Sequence, residues 1–174
     1  MFGTLHIFDF DDTLVRSDSQ VRITHPSGVG VSLSSEEYAK YVPTGEEEFD
    51  FSDFEAYPEN PQIIEEVFAE LRSAIALDGS DSVVILTARS NPNPVREFLS
   101  DNNIKGIEIQ AVGDSDPMAK ARYVLDRIKN DTFQEVRVFE DNAKNIRTIR
   151  KVVDDSGVRF QSNRVTKRGI YPGR

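Results

Sequence analysis

The chain has 174 residues, a formal net charge of −9 and no cysteine, and 38% of its residues are hydrophobic. The absence of cysteine excludes disulfides and thiol chemistry. No segment reaches the roughly 18 apolar residues of a membrane span. The net negative charge argues against a general nucleic-acid-coating protein. We expect one domain over residues 1–174, with no signal peptide and no membrane partner, in the cytoplasm.

The first predicted element is an apolar strand that runs directly into Asp9, Asp11 and Asp12. Two carboxylates about 4 Å apart repel by roughly 4 kcal/mol at an effective dielectric near 20, so such crowding calls for a cation or for good solvation. In open α/β sheets, ligands bind at the carboxyl ends of the strands. The pattern therefore predicts a ligand site at the end of this strand.

Residues 18–58 read as a small insertion after the first strand. Two β-rich runs, 21–24 and 29–33, flank a Pro/Gly turn and predict a hairpin. Ser34 and Glu37 form a capping-box pattern for a short helix through about Val42, and 46–55 reads as an acidic loop. From Glu36 to Glu59 the net charge is −8, and beyond Asp155 it is +5. Both charged runs are interpreted as solvated surface, with a partner-binding role left open.

After residue 60 the pattern alternates between helices and strands. Helices are predicted from Pro61 to Asp78, over 94–102, from Pro117 with Met118, Ala121, Val124, Leu125 and Ile128 facing inward, and over 142–153. Strands are predicted over 82–87, 107–112, 136–139 and 158–161. This alternation predicts an α/β fold with a doubly wound, Rossmann-like parallel sheet.

Polar residues follow the predicted strands. The first strand ends in Asp9 and Asp11, the second in Thr87, and the fourth in Glu140 and Asp141. Parallel strands bring these ends to one edge of the sheet, and Lys120, near the start of a helix, is expected to reach the same place.

These residues resemble the four motifs of the haloacid dehalogenase superfamily of phosphohydrolases. The matching segments are Asp9-Phe10-Asp11-Asp12-Thr13, Ile85-Leu86-Thr87, Lys120, and Phe139-Glu140-Asp141 with Asn145. The resemblance spans about residues 5–153, and four motifs in order are far more specific than the first alone. Two positions depart from the commoner pattern: Asp12 stands where many relatives have glycine, and the fourth motif is Glu-Asp.

The resemblance implies a magnesium-dependent aspartyl-phosphate mechanism. Asp9 would be the nucleophile, and Asp11 would protonate the leaving oxygen and then activate water. Thr87 would donate a hydrogen bond to a phosphoryl oxygen, and Lys120 would screen the charge between Asp9 and the phosphate.

The expected Mg²⁺ ligands are Asp9, the backbone carbonyl of Asp11, and Asp141. Whether Glu140 contacts the metal is left open, and Asn145 would orient Lys120 or a metal-bound water. The candidate substrate-binding residues are Phe10, Thr13 and Arg89, while Arg16, Arg22 and His25 read mainly as surface.

Each residue alone also has a plain structural explanation as a turn acid, a strand-end hydroxyl, a surface lysine or a helix cap. A calcium loop starting at Asp9 is excluded because Leu14 stands where glycine is required and Gln20 where a bidentate glutamate belongs.

Three functions remain open. The insertion at residues 18–58 would form only a small lid and leave the site accessible. This predicts a phosphatase that acts on a small phosphate ester or on a bulky substrate. The alternatives are a nucleotide or polynucleotide end phosphatase in nucleic-acid repair, and a non-catalytic binding or regulatory module with the same fold. The oligomeric state is left open.

Overall fold

The computed structural model describes residues 3–173, which form eleven strands and five α-helices. In chain order these are β1 (Gly3–Phe8), β2 (Val15–Arg16), β3 (Gln20–Thr24), β4 (Gly30–Ser34), α1 (Ser35–Ala39), β5 (Glu48–Asp50), β6 (Gln62–Ile63), α2 (Glu65–Asp78), β7 (Val83–Thr87), α3 (Asn93–Asp101), β8 (Glu108–Ala111), α4 (Pro117–Asn130), β9 (Phe133–Glu140), α5 (Ala143–Asp155), β10 (Arg159–Thr166) and β11 (Gly169–Gly173). Short 3₁₀ turns cover Ser52–Glu55 and Ser80–Ser82.

A six-stranded central sheet has the order β11-β10-β9-β1-β7-β8. All neighbouring pairs are parallel except β10 and β11, which are antiparallel. Most buried apolar residues of α2 and α3 belong to one cluster, and most of those of α4 and α5 belong to another. The predicted α/β class with a mostly parallel sheet is therefore confirmed.

The two apolar clusters follow from the side-chain alternation of the strands. In β1, Leu5 and Ile7 belong to the α4/α5 cluster, whereas Phe8 belongs to the α2/α3 cluster. The Phe8 ring stacks on that of Phe139 with the ring centroids 4.7 Å apart. Every residue of β7 is buried, as expected for a strand covered on both faces.

Part of the predicted insertion forms a separate antiparallel sheet of order β4-β3-β5. The predicted hairpin and the capping box of Ser34 and Glu37 are confirmed. Two predictions here were wrong: α1 ends at Ala39, since no residue of this short helix is buried, and the acidic loop contains a strand and a 3₁₀ turn. Backbone pairing of β5 with β3 overrides the low strand propensity of the acids.

The predicted start of α2 at Pro61 was also wrong. Residues Gln62–Ile63 pair instead with Val15–Arg16, and the Ile64 amide donates to the Leu14 carbonyl at 2.9 Å. This tertiary pairing takes the backbone groups that a helical first turn would use, so α2 starts at Glu65. Its end at Asp78 agrees with the prediction, and Gly79 follows with a φ of +88° that favours glycine.

Three further details differ from the prediction. Strand β10 runs on to Thr166, and β11 was not predicted because Pro172 reads against a strand, although an edge strand tolerates it. Met118 is 39% exposed on the first turn of α4, where Lys120 is buried instead. Within residues 3–173, no helix combines the length and the apolar character needed to span a bilayer.

Candidate active site

The predicted site residues meet at the carboxyl edge of the central sheet. Asp9 directly follows β1, and its amide donates to the Phe139 carbonyl of β9 at 3.0 Å. Glu140 ends β9 and Thr87 ends β7, the two strands that flank β1. The expectation that these strand ends converge is met.

A tight turn follows Asp9 and directs the Thr13 side chain toward the site. The amides of Thr13, Leu14 and Val15 donate to the Phe10 carbonyl at 3.2, 2.9 and 3.3 Å, and Asp12 has a φ of +64°. This turn buries Thr13 completely and directs its hydroxyl to Asp9 Oδ2 at 2.9 Å. The same hydroxyl lies 3.4 Å from Asp141 Oδ1. Thr13 thus holds the Asp9 carboxylate from one side.

Lys120 holds Asp9 from the other side. Its Nζ donates to Asp9 Oδ1 and to Glu140 Oε2, both at 2.8 Å. The side chains of Lys120, Asp9 and Glu140 are 4%, 9% and 2% exposed, so this is a buried, charge-assisted arrangement. The Asp116 cap and Pro117 start α4 and thereby bring Lys120 to this edge of the sheet.

Glu140 and Asp141 carry more negative charge than Lys120 balances. Burial, followed by the charges of Asp9 and Glu140, raises the pKa of Asp141 well above its usual value. Burial and the Asp9 charge also raise the pKa of Glu140 to about 7. Burial opposes ionisation of Asp9, but the charge of Lys120 and the hydrogen bonds with Asp141, Lys120 and Glu140 together outweigh it and lower the Asp9 pKa. Burial opposes the charged form of Lys120, but the charges of Asp9 and Glu140 outweigh it and raise the Lys120 pKa.

This excess negative charge fits a cation. One carboxylate oxygen from each of Asp9, Glu140 and Asp141 lies within 4.8 Å of the other two. Oxygen-only donors of this kind are those that hard cations such as Mg²⁺ prefer. The group contains the predicted ligands Asp9 and Asp141, with Glu140 as the third member. Glu140 Oε1 also accepts from the Asn142 amide at 3.2 Å, so its two oxygens are both engaged.

The Asp11 carboxylate lies outside this group and pairs with Arg89. Arg89 donates from Nε to Asp11 Oδ2 at 2.8 Å and from Nη2 to Asp11 Oδ1 at 2.9 Å. Its Nη1 donates to the carbonyls of Phe54 and Ala56 at 3.1 and 2.8 Å. The Arg89 side chain is 1% exposed, so in this arrangement it serves Asp11 and the insertion rather than an open substrate site.

Three other predicted site residues, Phe10, Thr87 and Asn145, are buried in the protein. The Phe10 ring is fully buried against Phe98 at 5.6 Å, so its side chain is not accessible to a substrate. Thr87 is buried, and its hydroxyl accepts from the Arg89 amide at 3.2 Å. Asn145 is buried on α5, but within the described residues the hydrogen bonds of Lys120 go to Asp9 and Glu140 instead. Of the two roles predicted for Asn145, orienting Lys120 falls to Glu140, and orienting a metal-bound water stays a prediction.

Two links between the site and the insertion were not predicted. Ser35 donates a hydrogen bond to Asp12 Oδ2, and the carbonyls of Phe54 and Ala56 accept from Arg89. Burial raises the Asp12 pKa to about 6 against the opposing effect of the Ser35 bond. Backbone acceptors have no sequence signature, and Ser35 reads simply as the first residue after a helix cap. Arg22 pairs with Asp53 inside the insertion at 2.8 Å, which agrees with its interpretation as a surface residue.

Comparison of the chain with family models, with curated proteins and with solved structures gave no match.

Proposed function

We propose that the chain is a magnesium-dependent phosphatase of the haloacid dehalogenase type, which hydrolyses a phosphate monoester through an aspartyl-phosphate intermediate. One observation carries the proposal: a buried carboxylate, Asp9, is held between Lys120 Nζ at 2.8 Å and Thr13 Oγ1 at 2.9 Å at the strand edge. A carboxylate fixed at both oxygens beside a buried ammonium is preorganised to attack a phosphorus atom. The motif order along parallel strands gives further support.

The first half of the reaction uses Asp9 as the nucleophile. An Asp9 carboxylate oxygen forms a bond to phosphorus while the bond from phosphorus to the ester oxygen breaks. Lys120 screens the negative charges that approach each other in this step, and Glu140 keeps its ammonium in position. The Thr87 hydroxyl, at the end of β7, has a hydrogen available for a phosphoryl oxygen.

Asp11 handles protons in both halves of the reaction. It gives its proton to the departing oxygen, which leaves as an alcohol, and is then a carboxylate. In the second half it takes a proton from a water molecule whose oxygen attacks the phospho-aspartate. Inorganic phosphate leaves, Asp9 regains its carboxylate, and Asp11 is again protonated, so the cycle is balanced.

Asp9 and Asp141, with Glu140 directly or through water, are the residues that would hold Mg²⁺. When bound, this ion supplies positive charge that offsets the crowded carboxylates and the phosphoryl oxygens.

The insertion favours a small ester over a nucleic-acid end. Its contacts with the site come from Ser35, Phe54 and Ala56, and the adjacent residues include Glu36 and Glu55. An acidic border repels a polyanion more strongly than a small dianion. Faster turnover of an oligonucleotide end than of mononucleotides and small esters would reverse this preference.

The test is phosphate release from a panel of aryl and alkyl phosphates with and without Mg²⁺. We expect turnover that needs Mg²⁺ and that Asp9→Asn lowers by a factor of about 10³ or more, since the nucleophile is lost. Asp155→Asn, at a carboxylate 68% exposed on α5, is the matched control and is expected to keep wild-type activity. No release by the wild type from any ester would contradict the phosphatase and favour the non-catalytic module.

Mg²⁺ binding has a separate readout in thermal unfolding. Mg²⁺ should raise the midpoint of the wild type, because a ligand that binds the folded state stabilises it. Asp141→Asn should abolish that rise and increase the stability of the metal-free protein at neutral pH, because it removes one of the crowded carboxylates. An unchanged response to Mg²⁺ in this variant would remove Asp141 from the ligand set.

A further inference from the structure

We infer that Arg89 is a positioning residue that couples the insertion to Asp11, so that the proton-transfer group is oriented only when the 52–56 turn is docked. This inference rests on the proposed function, because it concerns the residue to which that function gives proton transfer. It assigns to Arg89 a role other than direct contact with the phosphate.

The donors of Arg89 face two different parts of the molecule. Nε and Nη2 form a paired contact with both oxygens of Asp11, at 2.8 and 2.9 Å. Nη1 donates to the carbonyls of Phe54 and Ala56, at 3.1 and 2.8 Å, and both carbonyls belong to the turn that ends the insertion sheet. One rigid planar group therefore bridges the catalytic loop and the insertion.

The surroundings of Arg89 fix this bridge. The guanidinium carbon lies 5.3 Å from the centroid of the Phe10 ring and 5.3 Å from that of the Phe54 ring. Phe10 belongs to the central core and Phe54 to the insertion, so the cation packs against a ring from each side. With its side chain 1% exposed, Arg89 keeps these partners only while the turn covers it.

Asp11 is the more exposed partner. Its side chain is 18% exposed, and each of its carboxylate oxygens accepts one bond from Arg89, which leaves a second lone pair on each oxygen for the transferred proton. If the turn undocks, Nη1 of Arg89 loses two buried acceptors and the planar group is free to rotate. The orientation of Asp11 and the docking of the insertion are thus expected to change together.

The first test compares leaving groups in the wild type, Arg89→Lys, Asp11→Asn and the double variant. A phenol with electron-withdrawing groups departs with little help, whereas an alkyl alcohol requires a proton from Asp11. Lysine keeps the charge at position 89 but cannot make the paired contact and the bridge at once. We expect Arg89→Lys to lower kcat about 100-fold on an alkyl phosphate and about fivefold on the activated aryl phosphate.

The same leaving-group dependence is expected in Asp11→Asn, and adding Arg89→Lys to it should change the ratio of the two rates little. Arg137→Lys is the matched control: this arginine also pairs with a carboxylate, Glu70, at 2.6 Å, and packs on the Phe139 ring at 4.5 Å. It should leave the ratio unchanged.

Each contrary outcome identifies what is wrong. An equal fall of kcat on both esters would overturn the inference in favour of a purely structural arginine. An equal rise of KM on both would overturn it in favour of direct phosphate contact. Inactivity of the wild type on both esters would instead remove the proposed function, and the inference with it.

A second test does not need turnover. Amide hydrogen exchange over 51–57 should become about tenfold faster in Asp11→Asn, because Arg89, which bonds both Asp11 and that turn, loses one anchoring charge. The Phe54 amide, bonded to the Phe51 carbonyl at 2.9 Å, is a suitable reporter. Unchanged exchange there in a folded Asp11→Asn variant would overturn the coupling.

Discussion

The central sheet and the insertion sheet of β3, β4 and β5 are built from similar apolar residues but pack them differently. Around the central sheet, Phe8 of β1, Phe139 of β9 and Phe68 of the covering helix α2 are at most 1% exposed. In the insertion, Tyr38, Tyr41, Phe49 and Phe51 pack on one another with centroids 5.4–6.2 Å apart, and Phe51 stays 41% exposed. The central sheet is covered on both faces, whereas the insertion has this partly exposed aromatic cluster and, on β3, the buried side chains of Val21 and Ile23.

This difference in burial distinguishes a rigid part of the molecule, the central sheet, from an adaptable part, the insertion. Asp9, Thr13, Lys120 and Glu140 are fixed by buried bonds at the edge of the central sheet. The insertion joins that edge through the Ser35 bond to Asp12 and the Arg89 bonds to Phe54 and Ala56. Elements with few buried apolar contacts open at lower free energy than the core. The proposed nucleophile, Asp9, is thus on the rigid part, and the insertion beside the site is the adaptable part.

The largest expected effect on stability comes from removing an aromatic ring from the central core, compared with removing one from the insertion. Phe68→Ala should lower the free energy of unfolding by about 3–5 kcal/mol, because it opens a cavity in a fully buried core. Phe49→Ala, in the half-buried cluster, should cost about 1 kcal/mol and mainly speed hydrogen exchange within the insertion. Chemical denaturation with exchange measurements checks both. Equal losses would show that the two sheets share one cooperative core.

Lys120 tests the rigid edge directly. Lys120→Met should cost about 3 kcal/mol without Mg²⁺, because it leaves the Asp9 and Glu140 carboxylates buried without their partner. Lys151→Met is the control, since its contact with Asp155 at 3.5 Å joins side chains 78% and 68% exposed, and it should change stability by less than about 0.5 kcal/mol. A similar small effect at both positions would mean that the buried contacts contribute little.

Asp12 gives the smallest effect, at the junction of the two regions. Its pKa rises from an ordinary 3.8 to about 6, so between these values the folded state holds a proton that the unfolded state releases. This contribution lowers stability as pH rises through that window. Asp12→Asn should therefore be more stable than the wild type by about 1 kcal/mol above pH 6, a value reduced for partial exposure, and equal to it below pH 4. A constant difference across the pH range would contradict this origin.

The sequence predicted most of the central sheet and the meeting of Asp9, Lys120, Glu140 and Asp141, because strand ends and the Asp116-Pro117 helix start are local signals. It did not predict contacts that depend on tertiary pairing. Gln62 and Ile63 join β2 rather than α2 because the Leu14 carbonyl accepts from Ile64. Arg89 was predicted to bind substrate because it lies just after the motif that ends in Thr87. Its partners on Phe54 and Ala56 are backbone carbonyls, which carry no residue-type signal.

An aspartyl-phosphate mechanism is tested most directly by looking for phosphate on Asp9 during a single turnover. An activated aryl phosphate with a radiolabelled phosphoryl group is mixed with excess enzyme and Mg²⁺, quenched in acid, and the protein-bound label is counted over time. We expect transient label on the wild type that hydroxylamine releases, longer-lived label on Asp11→Asn, which lacks the base for the second half, and none on Asp9→Asn. Turnover by the wild type without bound label, or label on Asp9→Asn, would contradict the account.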